Sequence, residues 1–188
     1  MTLIAALALN AMLVAKLPLV VRTYDNVGLT PRAIEHALAS ADATLAAIGI
    51  APIWHPCHAP LCVPRPKPHE IDVRIVNATA LTPPGVLGSA AVDVAQHAGT
   101  LATVYADRVA ALAAASGADE GELLGRAVAH EIGHLMLGTA DHAQYGLMRA
   151  TWTAAEIRRY MPLDWRFSAA QGAEMRLRLL ARNDASAD

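Results

Sequence analysis

The chain has 188 residues, of which 54% are hydrophobic and 17% charged, with a formal charge of −2. A chain of this length can remove roughly 70% of its unfolded surface from water, so it needs no metal or crosslink merely to fold, and residues 17–188 are expected to form one domain. The composition excludes a disordered chain, and without a basic run there is no electrostatic ground for nucleic acid or an anionic membrane as partner.

Residues 1–15 are apolar apart from Thr2 and Asn10, with an Ala-x-Ala possibility at Ala6 and Ala8. This suits the hydrophobic part of an export signal, although no Lys or Arg precedes it and Lys16 follows. The run is too short for a spanning helix of about 20 residues. Residues 1–16 therefore read either as a signal, which would place the protein in the periplasm or outside the cell, or as an apolar element packed on the core of a cytoplasmic protein.

Residues 17–24 read as a strand that leaves through a turn at Asp25, Asn26 and Gly28. Thr30 is a candidate N-cap and Pro31 suits the first helical position; Ile34, Ala37, Leu38, Ala41, Leu45 and Ile48 then recur with helical spacing until Gly49. Residues 50–54 form a second strand, and residues 55–68, with five prolines and both cysteines, an irregular loop. Ile71, Val73 and Ile75 alternate with Asp72 and Arg74, which predicts a third strand with one wet face. Pro83, Pro84, Gly85 and Gly88 break the chain before a short strand at 101–105 and a helix at 107–115 that stops at Ser116 and Gly117. The next helix has an acidic first turn at Asp119, Glu120 and Glu122, which complements its dipole. Its apolar stripe runs through Leu123, Leu124, Val128, Ile132, Leu135 and Met136 to Gly138. A further helix begins near Thr153, and Ser168 caps the last, at 169–182.

Within the stripe lies His130-Glu131-Ile132-Gly133-His134. Residues four apart on a helix stand one turn above each other, so both imidazoles can reach one metal ion. Glu131, rotated by about 100°, can approach water on that metal. Histidine nitrogens suit zinc, which makes water acidic near pH 7 and polarises a carbonyl, while the glutamate accepts and returns the proton. A catalytic zinc holds three protein ligands and an open position, so a third ligand is required. Gly138 can end the helix in a left-handed conformation and reverse the chain, which brings His142 back towards the metal; Asp141 and Glu156 are the rival carboxylate ligands.

With Gly138, His142 and the Gly146-Leu147-Met148 turn in place, the chain resembles the metzincin clan of zinc peptidases, and within it the small bacterial members. Their signature is HExxHxxGxxH followed by a methionine turn. Here the glycine comes one residue later and the last histidine two residues later, so the ligand loop is longer. The resemblance implies an α/β (α+β) architecture with a twisted mixed β-sheet, a long backing helix and the HExxH helix. It implies Zn2+ held by His130, His134 and His142, Glu131 as general base, and Met148 beneath the site. A peptide or protein substrate would lie extended along an edge strand, expected at Leu101, Ala102, Thr103 and Val104. The competing class is a catalytically silent zinc-binding scaffold or partner-binding protein.

The remaining candidates carry less. Tyr145 could donate to an oxyanion, but a tyrosine near a turn is more often half-buried support. His55, Cys57, His58, Cys62 and His69 match no tetrahedral zinc pattern, and the two cysteines read as a disulfide or as free thiols. His36 and His97 read as surface residues, and Arg176, Arg178 and Arg182 as a solvated helix face.

Overall fold

The computed structural model describes residues 16–57, 62, 66–67 and 70–184. The export-signal run, and His58 and His69 of the cysteine loop, lie outside the described residues. The elements follow in the order β1 (Leu17–Asp25), α1 (Pro31–Ala46), β2 (Ile50–Pro56), β3 (Glu70–Val76), β4 (Gly88–Asp93), β5 (Ala98–Tyr105), α2 (Ala106–Ser116), α3 (Glu120–Leu137), α4 (Ala154–Arg159), a 3-10 turn at Pro162–Trp165 and α5 (Ala169–Asp184). Five strands form one mixed sheet in the order β2-β1-β3-β5-β4, with β4 antiparallel to β5 and every other pair parallel. This is the twisted mixed α/β architecture expected from the sequence.

Strand alternation sorts the sheet into two faces. Leu19 and Val21 of β1, Ile71 and Val73 of β3, and Ala102 and Val104 of β5 are fully buried, and so are Ala37, Ala41 and Leu45 of α1 and Val128, Ile132 and Leu135 of α3. Each buried Leu, Ile or Val contributes about 1.5–3 kcal/mol relative to exposure, so this layer sets the position of α3. Helices α1 and α3 pack directly on each other at Gly125, where a Cβ would stand 2.2 Å from the Ala37 carbonyl oxygen.

The other face was expected to be wet at β3, and it is so at Arg74, which is exposed, but not at Asp72. Arg22 of β1 lies opposite Asp72 of β3 in register, their Nε and Oδ1 atoms are 3.2 Å apart, and both residues are 8% exposed. Alternation marks Asp72 as polar but cannot reveal a partner fifty residues away. The arginines of α5 are also not all solvated. Arg176 donates to the Gly49 carbonyl at 2.8 Å, and Arg182 donates to the carbonyls of Gly99 and Leu135 at 3.0 and 2.9 Å. Cys57 and Cys62 are joined as a disulfide.

Thr30 and Ser168 cap their helices as read, and Asp119, read as part of an acidic first turn, is the N-cap of α3. Thr30 Oγ1 accepts from Ala33 N, Asp119 Oδ1 from Glu122 N, and Ser168 Oγ from Gln171 N. Thr153 and Glu156 form a reciprocal capping box at the start of α4. Strand β4 was not anticipated: Gly88-Ser-Ala-Ala-Val-Asp93 has small residues and no apolar alternation. It is the sheet's edge next to α3. The segment 101–104 belongs to β5, which is paired on both sides, with β3 and with β4. Its backbone groups are engaged, so the edge position expected for Leu101, Ala102, Thr103 and Val104 belongs to β4.

Candidate metal centre

Helix α3 places His130 and His134 one turn apart, with both residues buried at 7% and 5% exposure. Each ring is fixed from behind. His130 Nδ1 lies 2.8 Å from the Leu147 carbonyl oxygen and His134 Nδ1 lies 2.9 Å from that of Thr139. A carbonyl only accepts, so each Nδ1 carries the hydrogen and each Nε2 is left with its lone pair. The two Nε2 atoms face each other at 3.1 Å. Two lone pairs at that distance repel unless a cation lies between them. Burial disfavours a proton in that role: it lowers His130 to about 4 and lowers His134 as well, despite the carbonyl bonds that act the other way. The pair is therefore set up for a metal rather than for imidazolium.

The third nitrogen comes from the chain reversal. Gly138 ends α3 at φ +61°, and its N–H donates to the His134 carbonyl. A side chain there would meet the backbone of His97 at 2.4 Å, so glycine is needed for both the conformation and the approach. His97, read as a surface residue, is thus part of the support: its Nδ1 is 3.1 Å from the Gly138 carbonyl oxygen. Beyond the reversal, the His142 ring lies 4.8 Å from that of His134 and 5.4 Å from that of His130. One nitrogen from each of the three can be chosen so that all lie within 4.8 Å of one another. Tetrahedral zinc needs about 3.3 Å between ligand nitrogens at Zn–N near 2.05 Å, so the helical pair is already spaced for it. His142 is exposed on its loop.

Among the described residues the cluster able to hold a metal consists of His130, His134 and His142, without either rival carboxylate. Asp141 is exposed, and its N–H donates to Thr139 Oγ1. Glu156 is held in the capping box, where Oε2 accepts from Thr153 N at 2.8 Å and from Thr153 Oγ1 at 2.7 Å.

Glu131 is 5% exposed, and burial pushes its carboxyl up to about 8. It packs against Gly88 at the start of β4, where a Cβ would stand 2.5 Å from Oε1. On the other side of the helix, Met148 is 1% exposed beneath Gly133, and a Cβ on that glycine would meet the Met148 sulfur at 2.6 Å. The turn that carries Met148 has Gly146 at φ +80° and supplies the Leu147 carbonyl to His130. Tyr145 is 72% exposed.

Beside the histidines is a cavity of about 120 Å³, bounded by His130, Glu131, His142 and Trp152 and by the 85–88 segment. Trp152 stands edge-on to His130, 5.6 Å between ring centroids. Neither it nor Gly88 was singled out from the sequence, because a lone tryptophan or glycine carries no spacing signal. A much larger hollow of about 1370 Å³, bounded by Ser40, Arg126, Trp165 and Arg176 among others, contains none of the three histidines.

No family model and no curated protein matches the chain. Among solved structures, the chain is similar to archaemetzincin from Methanopyrus kandleri, with 14% sequence identity and a TM-score of 0.55 over 86% of this chain and 96% of that one. The two share a fold, and in this chain that fold carries a three-histidine cluster able to bind a metal.

Proposed function

We propose that the protein is a zinc-dependent peptidase in which His130, His134 and His142 hold the metal and Glu131 is the general base. The observation that carries the reading is the pair of buried Nε2 lone pairs 3.1 Å apart, each ring locked by a carbonyl behind it, with a third imidazole alongside. Zinc bound there supplies a Lewis acid that makes water acidic near pH 7 and polarises the scissile carbonyl. Glu131 would take a proton from that water and return it to the leaving amine. The Leu147 and Thr139 carbonyls keep the two helical rings in the ligating tautomer. Among the described residues no strand pairs with the outer edge of β4, so an extended peptide can form an antiparallel or parallel ladder there beside Glu131. The glycine turn at Gly146 and the burial of Met148 against Gly133 support reading this segment as a methionine turn.

The test combines metal content with turnover. Wild-type protein is expected to carry one zinc per chain and to cleave a mixed peptide library in a chelator-sensitive manner. Glu131→Gln should keep the zinc and lose about 10²–10⁴ in rate. His142→Ala should lose zinc, whereas Asp141→Ala and Glu156→Ala should not. Stoichiometric zinc without cleavage of any peptide would replace the peptidase by a metal-binding scaffold.

A further inference from the structure

The chain reversal that follows α3 is gripped from outside the histidine cluster. The last carbonyls of a helix have no partner within it, and here side chains from two distant elements reach them. Arg182 of α5 donates from Nη2 to the Leu135 carbonyl at 2.9 Å and from Nη1 to the Gly99 carbonyl of β5 at 3.0 Å. His97, at the end of the turn between β4 and β5, lies with Nδ1 3.1 Å from the Gly138 carbonyl oxygen and therefore donates to it. One guanidinium thus joins the hairpin to the helix end beside the point where an imidazole joins them again.

The two surfaces meet without slack. A Cβ at Gly99 would stand 2.5 Å from the Ala91 carbonyl oxygen and 2.7 Å from Leu135 Cδ2, just as one at Gly138 would stand 2.4 Å from that of His97. His97 itself is held at φ +49°, a region that side chains disfavour; among the described residues the other non-glycine at positive φ is Tyr160. Such a conformation persists where its surroundings fix it, and it points to a function for the contact.

The function is visible one peptide further on. Thr139 follows Gly138, and its carbonyl accepts from Nδ1 of His134, which keeps that ring in the ligating tautomer. The acceptor for His130 is the Leu147 carbonyl, on the turn that carries Met148. The two helical rings therefore have separate supports, and the one behind His134 adjoins the gripped carbonyl. Resting on the zinc reading for the ion itself, we propose that His97 and Arg182 are positioning residues of the metal centre. By pinning the β4–β5 hairpin to the end of α3 they hold the Thr139 carbonyl behind His134, and neither belongs to the three-histidine cluster.

His97 is exposed, so replacing it leaves the core intact. The side-chain nitrogen of asparagine stands as many bonds from Cα as histidine Nδ1, and asparagine tolerates positive φ, so His97→Asn restores the donor that His97→Ala removes. The test reads zinc affinity by chelator competition, and solvent exchange of the two ring Nδ1–H protons by NMR, in wild type, His97→Ala, His97→Asn and Arg182→Met. His97→Ala and Arg182→Met should weaken zinc about 10–100-fold, the usual effect of losing support behind a ligating histidine. In both, the His134 ring proton should lose protection while that of His130 keeps it, and His97→Asn should recover both readings. Unchanged zinc affinity in His97→Ala, an equal change at the two rings, or no recovery in His97→Asn would overturn the proposal. None of these readings needs turnover, so zinc bound with no peptide cleaved would sink the peptidase reading alone, whereas a wild type that binds no zinc would sink both.

Discussion

One close approach in the site that a single substitution can probe is between Gly88 and Glu131. A Cβ at position 88 would lie 2.5 Å from Glu131 Oε1, 2.7 Å from its Cγ and 2.8 Å from its Cδ. Ordinary contact is about 3.5–4.0 Å between carbons, so Gly88→Ala forces a shift on the order of 1 Å. The atom that yields is the end of a side chain, and Gly88 is not among the glycines at positive φ, so alanine fits the backbone. The fold therefore loses little, and the loss of glycine freedom in the unfolded chain offsets part of it, by about 0.4–1 kcal/mol. Catalysis loses more: a misplacement of about 1 Å can cost on the order of 10²-fold, equivalent to about 2.7 kcal/mol of barrier. The assay measures zinc content, thermal midpoint and kcat for wild type, Gly88→Ala, Glu131→Gln and the double variant. Zinc and midpoint should stay near wild type in Gly88→Ala while kcat falls about 100-fold. The double variant should be no slower than Glu131→Gln alone, since both substitutions act on one carboxylate. Full kcat in metal-loaded Gly88→Ala would refute the assignment of Glu131 as the base in this position.

Gly133→Ala presents the opposite case, because its Cβ would meet the Met148 sulfur at 2.6 Å and Phe167 Cε1 at 2.8 Å inside the core. Overpacking of this kind costs about 1–3 kcal/mol, read as a lower denaturant midpoint, and an unchanged midpoint would show that Met148 does not sit beneath the helix. Chelation should lower the melting temperature, since a ligand present at about 1,000 times its Kd stabilises by about 4 kcal/mol; a melting curve indifferent to chelator would mean that the histidines hold no metal. Glu156 has its carboxyl held below the usual range by the hydrogen bonds from Thr153. A depressed carboxyl stabilises above its unfolded value and loses that contribution as pH falls through the folded one, so the stability difference between wild type and Glu156→Gln should shrink below about pH 4. Zinc content in that variant should not change.

The two halves of the candidate site differ in how they are encoded, and this explains what the sequence made legible. The metal half is local. Histidines four apart on a helix, a glycine that reverses the chain and a third histidine shortly after it lie within residues 130–142, where helical periodicity and capping rules act. The caps at Thr30 and Ser168 were legible for the same reason. The wall half is tertiary. Gly88 matters because β4 passes over Glu131, and His97 because its hairpin abuts Gly138. Neither of these has a period or a spacing, and β4 itself, built of small residues, is fixed by its pairing with β5 rather than by its own pattern. The same division misplaced the substrate edge: apolar content marked 101–104 as strand, correctly, but being an edge is a property of the neighbours. On the proposed reading, the residues that would hold the metal set the chemical class and are legible because they are neighbours in sequence, while the position of Glu131 depends on Gly88, which only the folded sheet brings to it.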